Sequence, residues 1–235
     1  MLKLIYLEWK KNHILGYLWK AAVMVLAICL FFFAFAFLGI ARDPDTGIID
    51  VAPGADSIQA PIELFTSIAF LIFTCVMLSS FIVSAYKNKT MNLMFCYPIK
   101  RQKILLSQML AVWIFNFLGL VFAKLLIYGY ILGCSHFLVS DFPLDYSMAV
   151  PSFYLQLLFR SATTVTTAFI ALYVGLCMHS SKAVIVCSFL LVFLLQGTIG
   201  DFSFSTLPIF PVIMIGFSLL CILLSLSAVE VRDVN

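Results

Sequence analysis

Hydrophobic and polar positions divide the chain into six long apolar runs that are separated by short polar segments. A helix needs about 20 consecutive apolar residues to cross the roughly 30 Å hydrocarbon core of a bilayer. We therefore predict an all-α integral membrane protein with six transmembrane helices. Their predicted bounds are Ala21–Ala41, Pro61–Tyr86, Ile104–Gly133, Phe153–Cys177, Ala183–Ile199 and Leu207–Val229. The fifth run would rise only about 25 Å as a helix, near the lower limit for a span.

A different pattern precedes the first run, because apolar residues recur there at the helical spacing of three and four positions. The residues on this stripe are Leu2, Ile5, Tyr6, Trp9 and His13. Lysines lie largely off the stripe, and an aromatic-rich helix with flanking lysines suits the bilayer surface. We predict an N-terminal amphipathic interfacial helix at 1–16. The alternative is a plain extension of the first span.

Composition favours a membrane protein over a soluble domain. Hydrophobic residues make up 63% of the 235 positions and charged residues 11%, with a mean hydropathy of +1.11. Soluble domains contain roughly 45–50% apolar residues. The seven cysteines are scattered and form no Cys-x-x-Cys pair, so neither a disulfide framework nor a zinc site is predicted. The three histidines are separated by the predicted topology, so no shared metal is expected.

The segments between the runs differ strongly in charge. All but three of the 14 Lys and Arg residues lie in the N-terminal segment, the 87–103 loop, the 179–182 turn and the C-terminal segment. The exceptions are Arg42, which follows the first run, and Lys124 and Arg160, which lie inside runs. Because positively charged loops stay in the cytoplasm, we predict that both termini are cytoplasmic, which requires an even number of spans. The excess of basic residues, which gives a net charge of +3, is then explained by the orientation of the chain in the membrane and by contact with anionic lipid. No nucleic-acid partner is expected.

The 87–103 loop is longer and more basic than a minimal turn between two spans. It contains an amphipathic half-helix and a break at Pro98. Its five cations are Lys87, Lys89, Lys100, Arg101 and Lys103. These features are typical of a cytoplasmic surface that a soluble partner binds.

Three charged residues, Glu63, Lys124 and Arg160, are predicted in the outer third of the membrane. A cation at the centre of a span costs roughly 2.5–3.5 kcal/mol on insertion scales. Two interpretations are open. In the first, Lys124 and Arg160 extend to the external headgroups or pair with Glu63. In the second, they line an outward-facing cavity that acts on an anionic or amphipathic substrate.

The fourth run is also rich in hydroxyl side chains. These residues are Ser161, Thr163, Thr164, Thr166 and Thr167. Small polar side chains let membrane helices approach closely and form hydrogen bonds across an interface. We therefore predict that this helix lies inside the bundle or at a dimer interface rather than facing lipid.

Motifs for catalysis or nucleotide binding do not occur in the sequence. There is no Gly-rich phosphate loop, no dinucleotide-binding glycine pattern and no His-Glu-x-x-His metal motif. The chain is therefore not expected to be an enzyme, and energy for any transport would come from a partner.

With these features, the chain resembles the membrane subunit of a type-2 ABC exporter, the ABC-2 permease family. The resemblance rests on the six-span topology, the N-terminal interfacial helix and the segment between spans two and three. In that segment a leucine-containing turn, a proline and an arginine precede the aliphatic start of span three. The matching residues, which the resemblance implies are coupled to an ATPase, are Asn92, Leu93, Met94, Phe95, Cys96, Tyr97, Pro98 and Arg101.

The resemblance implies one transmembrane permease domain over residues 1–235. Its parts would be an interfacial elbow helix, two spans, a cytoplasmic coupling helix in the loop between spans two and three, four further spans and a cytoplasmic tail. Their bounds would be 1–16, 21–86, 87–103, 104–229 and 230–235. The implied partners are an ABC ATPase subunit in two copies, which holds ATP and Mg²⁺, a second permease that is identical or homologous, and the lipid bilayer. No cofactor is expected in this chain.

Small permeases of this size resemble those that export amphipathic peptides of the bacteriocin or toxin type, or small drugs. The short external segment before the last span departs from many family members and argues against the polysaccharide and lipid-flipping branches. We expect a multi-pass protein of a bacterial plasma membrane. A secondary transporter and a non-transporting membrane scaffold or assembly subunit stay open as alternatives.

Overall fold

The computed structural model describes residues 2–12, 14–37, 59–83, 101–135, 150–178, 180–196, 198–199, 202–203 and 209–231. Nearly all of them are helical, so the predicted all-α class is confirmed for this part of the chain. The helices are α1 (Leu2–Lys11), α2 (Ile14–Phe37), α3 (Gln59–Leu78), α4 (Arg101–Ser135), α5 (Pro151–Cys177), α6 (Ser181–Gln196) and α7 (Phe210–Val231). Two short antiparallel strands, β1 (Thr198–Ile199) and β2 (Phe202–Ser203), pair with each other between α6 and α7.

Within the described ranges, five helices are long and apolar enough to cross a membrane. The qualifying segments are Ile14–Ala34, Pro61–Val83, Gln102–Gly133, Pro151–Cys177 and Phe210–Ser227. They overlap predicted spans one to four and six, and the first of them begins and ends seven residues earlier than predicted. The transmembrane character predicted from the apolar runs is therefore confirmed.

The predicted fifth span, Ala183–Ile199, differs from the structure at both ends. α6 begins at Ser181, ends at Gln196 and has 16 residues, so it rises about 24 Å. Ile199 is not helical but belongs to β1. α6 is apolar but too short to count among the five long segments. The total of six spans therefore stays a prediction.

Two further helix boundaries differ from the bounds of the predicted segments, because hydropathy marks where a chain is apolar, not where a helix ends. α2 begins at Ile14, before the predicted start of the first span, and the N-terminal helix predicted at 1–16 ends at Lys11. α4 begins at Arg101, so the last three residues of the predicted 87–103 loop are helical. Polar residues at a helix end can remain in the helix while they lie outside the hydrocarbon core.

α5 is the central helix, and it packs against α3, α4, α6 and α7. Ser161 and Thr167 are fully buried, which confirms the predicted interior position. Most of the hydroxyls bind their own helix, as when Ser161 donates to the Leu157 carbonyl at 2.7 Å. A contact between helices also occurs: Thr166 accepts a hydrogen bond from Trp113 Nε1 of α4 at 3.2 Å. The hydroxyl groups therefore mainly donate hydrogen bonds to backbone carbonyls one turn earlier in α5. Because these polar groups are paired within the helix, α5 can lie in an apolar bundle.

α5 and α6 approach closely at Gly175. A Cβ atom at this position would overlap Val184 Cγ2 of α6 and would lie 3.5 Å from Val83 Cγ2, so the packing requires glycine. Val83 ends a single π-helical turn, Ser79–Val83, that extends α3. The Ser79 hydroxyl donates to the Ser181 carbonyl at the start of α6, at 3.2 Å. This Gly175 junction therefore ties three helices together at the end of α3 that leads into the 87–103 loop.

Candidate functional site

A buried ion pair joins α3 to α4. Lys124 Nζ lies 2.5 Å from Glu63 Oε2, although the two residues are 61 positions apart in the chain. Lys124 is completely inaccessible to solvent, and Glu63 is 7% exposed. The pair is electrically neutral as a unit, and this lowers the cost of placing each charge inside an apolar bundle.

Tyr128 extends the pair towards α5. Its hydroxyl donates to Glu63 Oε1 at 3.3 Å, so the two carboxylate oxygens have different partners. The edge of the Tyr128 ring packs against Phe153 of α5, with the ring centroids 5.1 Å apart. Lys124 and Tyr128 point in the same direction because side chains four residues apart share one face of a helix. The cluster therefore connects α3, α4 and α5.

Arg160 does not join this cluster. The prediction grouped Glu63, Lys124 and Arg160 as one network, and the structure brings the first two together. The Arg160 side chain is exposed on α5, and no acidic residue in the described ranges forms an ion pair with it. The pairing alternative therefore applies to Lys124 and not to Arg160, although the Arg160 charge lies within electrostatic range of Lys124.

A second polar cluster, which the sequence did not predict, attaches α1 to α4. The buried Glu8 carboxylate accepts a hydrogen bond from Gln108 Nε2 at 3.2 Å and lies 3.9 Å from Lys11 Nζ. Trp9 Nε1 donates to the Ala111 carbonyl of α4 at 3.0 Å. α1 is thus held against α4 through its polar groups as well as its apolar ones.

The residues of the predicted stripe on α1 are divided between a buried and an exposed face of the helix. Ile5 is buried, but Tyr6 is exposed, and the acidic Glu8 lies on the buried face instead. The signal that could have revealed this face was the position of Glu8, which is the one acid in a lysine-rich segment and is three residues from Ile5. Residues three apart share a helix face. Whether the exposed face of α1 lies on a bilayer stays a prediction.

α4 positions both polar clusters along one continuous row. Every fourth residue from 104 to 128 is buried; these are Ile104, Gln108, Val112, Asn116, Leu120, Lys124 and Tyr128. Gln108 contacts α1 near one end, and Lys124 contacts α3 near the other. The rise between them is about 24 Å at 1.5 Å per residue. A displacement of α4 as a rigid body would therefore move both clusters.

The predicted coupling residues 92–98 lie outside the described residues, and their role stays a prediction. Arg101, the last of this set, is the first residue of α4. No three His, Cys, Asp or Glu side chains in the described ranges come together in a way that could hold a metal ion.

Comparison with known proteins gives a distant relative. The chain is 25% identical over 191 residues to the uncharacterized protein YcbO of Bacillus subtilis (strain 168). The aligned region covers 77% of this chain and 82% of that protein. No protein-family model matches the chain. No solved structure matches it either.

Proposed function

We propose that this protein is the membrane-spanning permease subunit of an ATP-driven ABC exporter that moves amphipathic peptides, or small drugs, out of the cell. The observation that carries the proposal is the attachment of α1 to α4 through Glu8 and Gln108. α4 begins at Arg101, inside the last part of the basic 87–103 loop. The N-terminal helix and the loop therefore act on the same end of the same helix.

This arrangement suits a protein that is driven from its cytoplasmic side. A partner that binds the loop would push on the first turn of α4, and the hydrogen bonds from Gln108 and Trp9 would carry α1 with it. A long, well-packed helix transmits such a push as a rigid-body movement. The far end of α4 holds Lys124 and Tyr128, so the movement would reach the buried ion pair.

The proposed permease has six spans, with α6 as the short fifth one. α6 is apolar, and several large side chains on it face outwards, among them Val186, Phe189, Leu190 and Phe193. A helix of this length can cross a locally thinned bilayer. Six spans place both termini in the cytoplasm, in agreement with the charge distribution. The proposed location is the plasma membrane of a bacterium.

The proposed orientation makes a labelling prediction. Single cysteines are introduced at 45–58, 140–147 and 88–100 in a chain whose seven native cysteines are replaced by serine. An impermeant maleimide applied to intact cells should label the first two segments and not the third, because only they face outwards. Labelling of all three segments after the cells are opened is the control. External labelling of 88–100 would contradict the orientation and the transporter proposal.

The proposed coupling predicts that Arg101→Glu combined with Tyr97→Ala separates ATP hydrolysis from transport. Reversing one charge and removing one aromatic ring at a docking surface mainly weakens docking. We expect export to fall at least tenfold, with insertion and expression unchanged. The measurement is export from vesicles together with the ATPase activity of the complex. Lys182→Glu, which changes an exposed lysine in another turn that is proposed to be cytoplasmic, is the matched control and should export normally.

Wild-type export by the double variant would contradict the coupling role. Purification of the complex from native membranes separates the proposed function from its alternatives. An ABC ATPase subunit that holds ATP and Mg²⁺, in two copies, and a second permease should be recovered with the chain. A secondary transporter would work without such a subunit, and a scaffold would be recovered with a different set of proteins and would show no ATP-dependent export.

A further inference from the structure

Polar side chains form an exposed row on the outer surface of α5. Ser152, Gln156 and Arg160 follow each other at intervals of four residues, and all three are exposed. Residues at this spacing lie on one face of a helix. Exposed apolar side chains border the row, among them Leu155, which is 74% exposed, and Phe159. A polar row with an apolar border is unusual on the outside of a membrane-spanning helix, where lipid tails are the expected neighbours.

The charge on this row is not compensated within the described part of the chain. Glu63 lies within 2.5 Å of Lys124, and its second oxygen accepts a hydrogen bond from Tyr128. The ion pair of Glu63 in the described part of the chain is with Lys124 and not with Arg160. An uncompensated arginine inside a span costs roughly 2.5–3.5 kcal/mol on insertion scales. An anion supplied from outside the chain would lower that cost.

We propose that Gln156 and Arg160 bind the phosphate of an anionic phospholipid, with one acyl chain lying along Leu155 and Phe159. A guanidinium group binds phosphate through two parallel hydrogen bonds, and the Gln156 amide adds a third donor. The Arg160 Cα lies about 13 Å from the start of α5 by helical rise. Side chains on a helix point towards its N-terminus, so the guanidinium group reaches back towards the headgroup level.

A lipid fits this surface better than a transported molecule does. The row is exposed on the outside of the bundle, whereas the side chain of Lys124 is fully buried, although the Arg160 charge lies within electrostatic range of Lys124. A headgroup beside a tail matches the arrangement of a polar row beside exposed Leu155 and Phe159. The inference does not depend on the proposed transport function, because a scaffold with the same helix would bind the same lipid.

The test uses the full-length protein in nanodiscs that contain phosphatidylcholine and a phosphatidylglycerol carrying a photoreactive acyl chain. After illumination, the labelled residues are mapped by mass spectrometry. In the wild type we expect labelling of α5 around Leu155 and Phe159. Arg160→Gln should reduce this labelling roughly tenfold or more, because a hydrogen bond to a charged group is worth about 1.5–3 kcal/mol. Arg160→Lys should keep part of it, since lysine retains the charge but not the paired geometry.

Lys20→Gln provides the matched control. Lys20 is an exposed cation on α2 whose Nζ lies 4.8 Å from the centroid of the Tyr17 ring. Its removal should leave the labelling of α5 unchanged. Equal labelling of α5 in wild type and Arg160→Gln would overturn the proposal. So would equal labelling by a photoreactive phosphatidylcholine, which carries no net charge. Competition by an acidic amphipathic peptide, with no competition by unlabelled phosphatidylglycerol, would assign the site to a transported acid and would also overturn it.

Discussion

Replacing Lys124 by methionine is expected to lower the free energy of unfolding of the bundle by about 3–5 kcal/mol, because it leaves Glu63 buried without its partner. Methionine keeps most of the side-chain volume, so the loss reports charge rather than a cavity. The measurement is the thermal unfolding of the purified protein in detergent, followed by circular dichroism. Because Lys124 is completely buried, no water can replace the lost contact without opening the helices.

The double variant Glu63→Gln, Lys124→Met tests whether the two charges stabilise the protein as an ion pair or contribute to its stability independently. Removing both charges should restore much of the loss, since a neutral glutamine needs no counter-ion and can still accept a hydrogen bond from Tyr128. Lys20→Met, on the exposed face of α2, is the matched control and should change stability by no more than about 1 kcal/mol, the usual value of an exposed contact between a cation and an aromatic ring. Additive losses in the double variant would contradict the ion pair.

Replacing Gly175 by alanine is expected to separate α5 from α6. The added methyl group would overlap Val184, and inserting one extra methyl group into a packed core typically costs 1–3 kcal/mol. The junction also contains the π-helical turn at Ser79–Val83, so the distortion should spread to the end of α3 that adjoins the basic loop. The measurement is again thermal unfolding of the purified protein, followed by circular dichroism.

Val184→Ala should rescue Gly175→Ala, because it removes the methyl groups that the new Cβ would meet. Gly216→Ala on α7 is the matched control, since no atom lies within 4 Å of a Cβ at that position. There alanine should stabilise the helix slightly, by up to about 1 kcal/mol, through its higher helix propensity. Equal stability of Gly175→Ala, its combination with Val184→Ala and Gly216→Ala would contradict the close approach of α5 and α6 at Gly175.

Much of the fold followed from local properties of the chain. Hydropathy summed over about 20 residues is enough to locate a span, and five of the six predicted spans overlap long apolar helices. The hydroxyl groups of the fourth run predicted that α5 lies in the interior, and Ser161 and Thr167 are buried there. The span that the prediction extended too far, Ala183–Ile199, continues an apolar run into two residues that pair as β1 rather than extending α6.

The candidate site was only half determined by the sequence. The cost of charge in a membrane singled out Glu63, Lys124 and Arg160, because an ionised side chain in an apolar run stands out at any rotation of the helix. Which of these residues meet depends on how each helix is rotated and how far it is shifted along its neighbour. Those quantities come from packing between residues that are far apart in the chain, such as Glu63 and Lys124 at 61 positions, and they exclude Arg160 from the pair.

The sequence by itself determined that this chain is a bundle of apolar helices with a basic loop and a few charges inside its spans. Those properties depend on the free energy of transferring each side chain from water to lipid. This free energy is a property of the residue itself and does not depend on the residues against which it packs. The tertiary structure alone decided that Lys124 is neutralised by Glu63, that Glu8 attaches α1 to α4, and that Arg160 faces outwards. These outcomes are set by distances of a few ångströms between helices that are far apart in the chain, and no local pattern encodes them.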